Sequence, residues 1–152
     1  MRTTDDDDSV QAALDRFDRT FASGDAAGLT ALFAPDARLL LLHAEAMDGR
    51  PAILAHWTRV FDAWDPGEWQ AERQLLEVHG DRAYALSTYA ETLRERAGSA
   101  SIEVHGRLIH FLRREPDGTW LVTVAMNSHS RPTVRTEEGP AEPRHRIDTA
   151  AT

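Results

Sequence analysis

The chain has 152 residues and contains neither cysteine nor lysine. Without cysteine there is no disulfide, no thiol nucleophile and no cysteine zinc site. All seventeen basic residues are arginine. That excludes a Walker phosphate loop and a Schiff-base lysine, which both need a lysine amine. No apolar run reaches membrane-spanning length, and no basic start followed by an apolar segment marks a secretory signal. A cytoplasmic location and no membrane association are the expectation. The formal net charge is −8. An acidic domain is a poor partner for a polyanion, so nucleic acid is not expected.

What remains is a chain of ordinary apolar content, long enough for one domain with a sizeable core. Residues 1–8 are acidic and lack an apolar anchor, and are expected to be disordered. In the helix that follows, Val10, Ala13, Leu14, Phe17 and Phe21 recur at three and four residues. Gly24 and Asp25 separate it from a short second helix with Leu29, Leu32 and Phe33 on its inner side. Ala37 to His43 reads as a buried strand. Pro51 opens a third helix, with Ile53, Trp57, Val60, Phe61 and Trp64 facing inward. Two hairpins follow, Trp69–His79 with Arg82–Arg94, then Ser101–Pro132 around a turn at Glu115-Pro116-Asp117-Gly118. Residues 133–152 carry proline and charge with almost no apolar side chain, and are expected to be a disordered tail. The body of the domain is therefore residues 9–132. Its fold class is α+β, with three N-terminal helices on one face of a curved antiparallel sheet.

The last hairpin carries the sharpest pattern. With an odd-residue turn, one face holds Val104, Gly106, Leu108, His110, Leu112, Trp120, Val122, Val124 and Met126. The other holds Glu103, His105, Arg107, Ile109, Phe111, Leu121, Thr123, Ala125, Asn127 and His129. An ordinary amphipathic hairpin would put the first set on the core and the second in water. A strongly curved sheet would put the second set in a pocket and the first against a partner.

The element order and four strings favour the second arrangement. FASGDAAGLTALFAPDA (Phe21–Ala37), DGRPAI (Asp48–Ile53), VHGDRAYA (Val78–Ala85) and the ending HFLRREPDGTW…NSHSRP resemble the nuclear-transport-factor-2-like superfamily. Ketosteroid isomerase, SnoaL-like cyclases, limonene epoxide hydrolase and the association domain of calcium/calmodulin-dependent kinase II belong to it, and the ending looks most like the association-domain subgroup. The resemblance implies a cone whose sheet wraps an apolar pocket, a homodimer through the outer sheet face, and no cofactor. It also implies a negative. The three polar catalytic positions of ketosteroid isomerase fall on Phe17, Leu41 and near Ile109, so that mechanism is absent.

Under this resemblance the catalytic candidates are His43, Arg107 and His129. A histidine titrates near neutrality and can move a proton, and an arginine is a fixed cation for a developing oxyanion. The substrate wall would be Phe17, Phe21, Trp57, Phe61, Tyr84, Thr88, Ile109 and Asn127. His43 also suits a solvated strand end, Arg107 a structural ion pair with Glu45 or Glu103, and His129 a wet edge. Glu103 and His105 lack a third ligand, so no metal is expected. The resemblance implies a small SnoaL-like enzyme of cyclase, isomerase or hydratase type. It would act by acid/base chemistry on a largely apolar molecule, as in polyketide or other secondary metabolism. A non-catalytic binding protein or a dimerisation module of the same fold is the alternative.

Overall fold

The computed structural model describes residues 4–136. Helix α1 (Thr4–Ala22) buries Val10, Leu14, Phe17 and Phe21, the expected stripe. It starts earlier than expected. Asp5, Asp6 and Asp7 form its first turn, where the helix dipole favours negative charge. Asp6 accepts from Arg114 at 2.9 Å, and Trp120 Nε1 donates to Ser9 Oγ at 3.0 Å. Residues 4–8 thus form the first turns of α1 and contact the end of β5 through Asp6.

Helix α2 (Ala26–Ala31) is capped by the Asp25 carboxylate, which accepts from the Gly28 N–H at 2.9 Å. Helix α3 (Arg50–Ala63) has Pro51 in its first turn and buries Ile53, Trp57 and Phe61. Around them run β1 (Phe33–Leu40), β2 (Met47–Asp48), β3 (Trp64–His79), β4 (Arg82–Glu95), β5 (Ala100–Arg114), β6 (Trp120–His129) and β7 (Thr133–Thr136). Strand β7 pairs with the start of β5, so the expected disordered tail begins with a strand. The rest of that tail, residues 137–152, lies outside the described residues.

The sheet order is β2-β1-β6-β5-β4-β3, with β7 beside β5. The fold is α+β, but the sheet is mixed rather than antiparallel, because β1 runs parallel to β6. These strands come from opposite ends of the chain, and no tight turn forces them to be antiparallel. Irregularities in the β3–β4 and β5–β6 ladders bend the sheet. Its concave face holds one large core, in which Phe33, Leu14, Leu29, Leu39, Ile53 and Leu112 are fully buried. Among the described residues no helix is long and apolar enough to cross a membrane.

Candidate active site

Which side chains enter the cone is decided by one extra residue. Near the turn, β5 and β6 pair Arg114 with Trp120 and Leu112 with Val122, even with even, as an odd turn requires. Beyond Leu112 the register shifts, and Phe111 pairs with Val124 and His110 with Ala125. Thr123 is the inserted residue, and its hydroxyl donates to the Phe111 carbonyl at 3.2 Å. After the bulge, the odd positions of β6 share a face with the even positions of β5.

The consequence is that β5 presents Val104, Leu108, His110 and Leu112 inward, together with Trp120, Val122, Ala125 and Asn127 of β6. Arg107, Ile109 and Phe111 turn outward. β5 thus turns its apolar set to the core, while Ala125 and Asn127 of β6 line a cavity. Val104, Leu108, Leu112 and Val122, expected in a dimer interface, are buried inside the chain.

A cavity of about 110 Å³ lies between α1, α3 and the concave sheet. Phe17, Phe21, Trp57, Trp69, Leu39, Leu41, Leu108 and Ala125 form its apolar wall. Tyr89, Glu91 and Asn127 are its polar groups. Tyr89 and Glu91 are two residues apart on β4, so they share a face about 7 Å apart along the strand. Asn127 projects from β6 across Leu108.

Each polar group is held differently. The Leu42 N–H donates to Asn127 Oδ1 at 2.8 Å. That fixes which end of the amide is nitrogen, and Asn127 Nδ2 donates to Tyr89 Oη at 3.3 Å. The Tyr89 ring stacks on Trp69, with centroids 5.2 Å apart and planes 19° apart. It lies across Gly106, where an added Cβ would sit 2.7 Å from the ring. Burial pushes the Tyr89 phenol up to about 12, so it remains protonated at neutral pH. Burial alone pushes the Glu91 carboxyl from 4.5 up to about 7, with no cation offsetting it.

Behind the wall lies a second polar cluster. Asp18 accepts from Trp69 Nε1 at 3.1 Å and from Arg73 at 3.2 Å, and Arg73 donates to Ser87 Oγ at 2.7 Å. Burial raises the Asp18 carboxyl despite Arg73. Asp18 thereby fixes Trp69, which in turn supports Tyr89. His110 is fully buried beside Phe17, with ring centroids 4.6 Å apart, and neither ring nitrogen has a hydrogen-bond partner among the described residues.

The sequence candidates divide accordingly. Phe17, Phe21, Trp57 and Asn127 line the cavity. Phe61 packs behind it against Phe21 and Trp57. His43 and His129 come together, with ring centroids 6.4 Å apart, but neither lines the cavity. His43 leaves the expected face because β1 ends at Leu40 and the chain turns, with His43 at φ 65°. Arg107 and Thr88, exposed neighbours across β4 and β5, line a separate open depression of about 780 Å³ together with His129. Tyr84 is also on the outer face, donating to Glu77 at 2.6 Å, and Ile109 is on that face beside Leu86. Glu103 accepts from His105 at 3.0 Å, and among the described residues no three ligating side chains cluster for a metal.

Sequence reasoning missed Tyr89, Glu91, Trp69 and the Asp18–Arg73 pair. The available signal was the alternation Ala83, Ala85, Ser87, Tyr89, Glu91 along β4, small residues giving way to large polar ones on the inner face.

The overall architecture matches solved structures. A ketosteroid isomerase-like protein from Erwinia carotovora atroseptica superposes with a TM-score of 0.78 at 18% identity, over 86% of this chain and 100% of that one. A scytalone dehydratase-like protein from Novosphingobium aromaticivorans gives 0.72 at 15% identity, over 96% and 100%. A type 2 hexachlorocyclohexane dehydrochlorinase, LinA, gives 0.70 at 16% identity, over 93% and 99%. At these identities the likeness is one of fold. No curated protein matches the sequence. The model of the SnoaL-like domain matches residues 14–123, which include α3, the cavity-facing part of β4 and most of the β5–β6 hairpin, and the chain belongs to that family.

Proposed function

We propose that this chain is a small-molecule enzyme that needs no cofactor and moves a proton on a largely apolar substrate through Glu91. The observation that carries this reading is the Glu91 carboxyl itself. It lines an apolar cavity, no cation accompanies it, and burial holds it near neutrality. Proton transfer is most efficient when the group's pKa lies near the working pH. A structural carboxylate at such a depth would ordinarily be paired.

Tyr89 supplies the complementary group. It accepts from Asn127, so its own hydrogen is left to donate to a substrate oxygen as negative charge develops there. Phe17, Phe21, Trp57 and Trp69 hold the carbon skeleton and keep water out. Isomerisation, cyclisation and loss or addition of water all begin with such a proton transfer. The dehydratase-like and dehydrochlorinase neighbours are named for eliminations, which fit the same chemistry. A place in polyketide or other secondary metabolism accords with the family.

We also propose a homodimer through the outer sheet face. Leu75, Leu86, Ile109, Met126 and Leu40 are in register across five strands. Leu75, Met126 and the neighbouring Phe111 are each at least 40% exposed, an apolar row that a second copy would cover.

The catalytic reading is tested by Glu91→Gln. The variant is expected to fold and to bind substrate while losing turnover about 100-fold or more. Full turnover by the variant would show that the cavity binds without catalysing through Glu91.

A further inference from the structure

The outer face of the sheet carries two opposite charges that have no partner among the described residues, Glu72 and Arg107. Glu72 on β3 is directly opposite Thr88 on β4, and Thr88 is directly opposite Arg107 on β5. Their side chains therefore rise from one face in a single row. Ser128 of β6 continues the row beyond Arg107. All four are exposed and line the open depression of about 780 Å³. None of them lines the cavity of Glu91. The neighbouring charges on this face are already committed. Glu103 accepts from His105 at 3.0 Å and meets Arg135 at 3.5 Å.

The spacing of the row selects a ligand. Neighbouring strands lie about 4.8 Å apart, so the Cα atoms of Glu72 and Arg107, two strands apart, are separated by about 10 Å. A charge-assisted hydrogen bond spans about 2.8 Å. In an α-amino acid the ammonium nitrogen and a carboxylate oxygen are about 3 Å apart. Two such bonds and that separation add to about 9 Å, close to the span of the row. One small zwitterion over Thr88 can thus place its carboxylate on Arg107 and its ammonium on Glu72. A plain anion would meet the Glu72 carboxylate uncompensated, and a plain amine would meet the Arg107 guanidinium.

The uncharged neighbours complete the fit. Thr88 Oγ1 accepts from Gln74 at 3.5 Å, which leaves its hydrogen to donate. Ser128 Oγ has no partner among the described residues, so a hydroxyl stands on either side of Arg107 to meet a carboxylate. In the next row of the same face Ala90 lies between Gln70 and His105. Its methyl is a low point between two longer side chains, with room for a small aliphatic group.

We propose that this outer depression binds a free α-amino acid with a small aliphatic side chain, its carboxylate on Arg107, its ammonium on Glu72 and its side chain over Ala90. The site opens one row away from Leu86 and Ile109, in the apolar row assigned above to a second copy.

The experiment follows backbone amide shifts of the full chain by nitrogen–proton NMR with three probes: L-valine, 3-methylbutanoate and isobutylamine. The last two are valine without its ammonium and without its carboxylate. L-Valine is expected to shift the Thr88, Ala90 and Arg107 amides with millimolar affinity, as suits exposed ion pairs. It is expected to bind at least about tenfold more tightly than either singly charged probe. Arg107→Gln, Glu72→Gln and Ala90→Leu are each expected to weaken it about tenfold or more, the third with both charges in place. The proposal is overturned if L-valine gives no saturable shift at these amides up to about 50 mM. Equal binding of 3-methylbutanoate would make Arg107 a simple anion site and overturns it too. So does an L-valine affinity that survives any of the three substitutions. If L-valine does not bind and either charge substitution dissociates a native oligomer, the two charges belong to a contact between copies and the ligand site is refuted.

Discussion

Asn127 Nδ2 donates to Tyr89 Oη at 3.3 Å, while Asn127 Oδ1 is itself held by the Leu42 N–H at 2.8 Å. The phenol is therefore an acceptor on one side, and no described residue takes its hydrogen. A hydroxyl polarised in this way is a prepared donor at the wall of an apolar cavity, where a hydrogen bond to a developing anion is worth more than in water.

Tyr89→Phe tests that donor without disturbing the stack on Trp69. The expected result is a fall in kcat of about 10²- to 10³-fold, the size seen when one oxyanion donor is removed. KM should change little, because the donor acts mainly in the transition state. A rise in KM at constant kcat would instead make Tyr89 a plain binding contact.

The pH dependence of catalysis follows from Glu91. As a base it must be ionised, and burial holds its pKa at about 7. The kcat/KM of the free enzyme is expected to rise with pH and level off above about 7, provided the substrate does not ionise in that range. A profile flat from pH 5 to 9 would remove Glu91 from the rate-determining proton transfer.

The outer row predicts an oligomer that charge can break. Ile109→Glu and Phe111→Glu place carboxylates in the centre of the exposed apolar face, and neither residue lines the cavity. Light scattering is expected to show a dimer for the native chain and a monomer for the double variant, with the native melting temperature largely kept. A native chain that is monomeric at micromolar concentration would refute the dimer.

Much of this was legible in the sequence. The helix stripes, the order of the long strands and the aromatic wall of Phe17, Phe21 and Trp57 follow from three-and-four spacing and turn chemistry. The direction of β5 did not follow. Period-two reasoning carries one parity along a whole hairpin, and the bulge at Thr123 exchanges it midway. Thr123 has no side-chain signature of an inserted residue. His43 failed for a related reason, since nothing in ARLLLLH marks Leu40 as the last strand residue. Glu91 was hidden because a glutamate in an alternating strand reads as solvated. Its cavity is closed by residues of other elements, Trp57, Leu41 and Asn127 among them, far away in the sequence.

Two of the buried titrating groups, His110 and Glu91, predict opposite stability slopes, and single variants separate them. Burial lowers His110 from 6.5 to about 3. Between these values the unfolded chain binds a proton that the folded chain excludes, so stability is lost as pH falls below about 6.5. The slope is about 1.4 kcal/mol per pH unit. Glu91 is raised from 4.5 to about 7. There the folded chain holds a proton that the unfolded chain releases, so its contribution is full below about 4.5 and is lost as pH rises to about 7. Between about 4.5 and 6.5 the two slopes oppose each other and largely cancel. His110→Leu, close in volume and apolar, removes the first slope, so relative to the native chain it should gain stability steadily as the medium becomes more acidic. Glu91→Gln removes the second, so relative to the native chain it should gain stability as pH rises toward 7. Melting temperatures of the three proteins across pH 4.5–7.5 measure both effects. If the differences between native and variant chains do not vary with pH, neither group titrates inside the folded core as its burial requires.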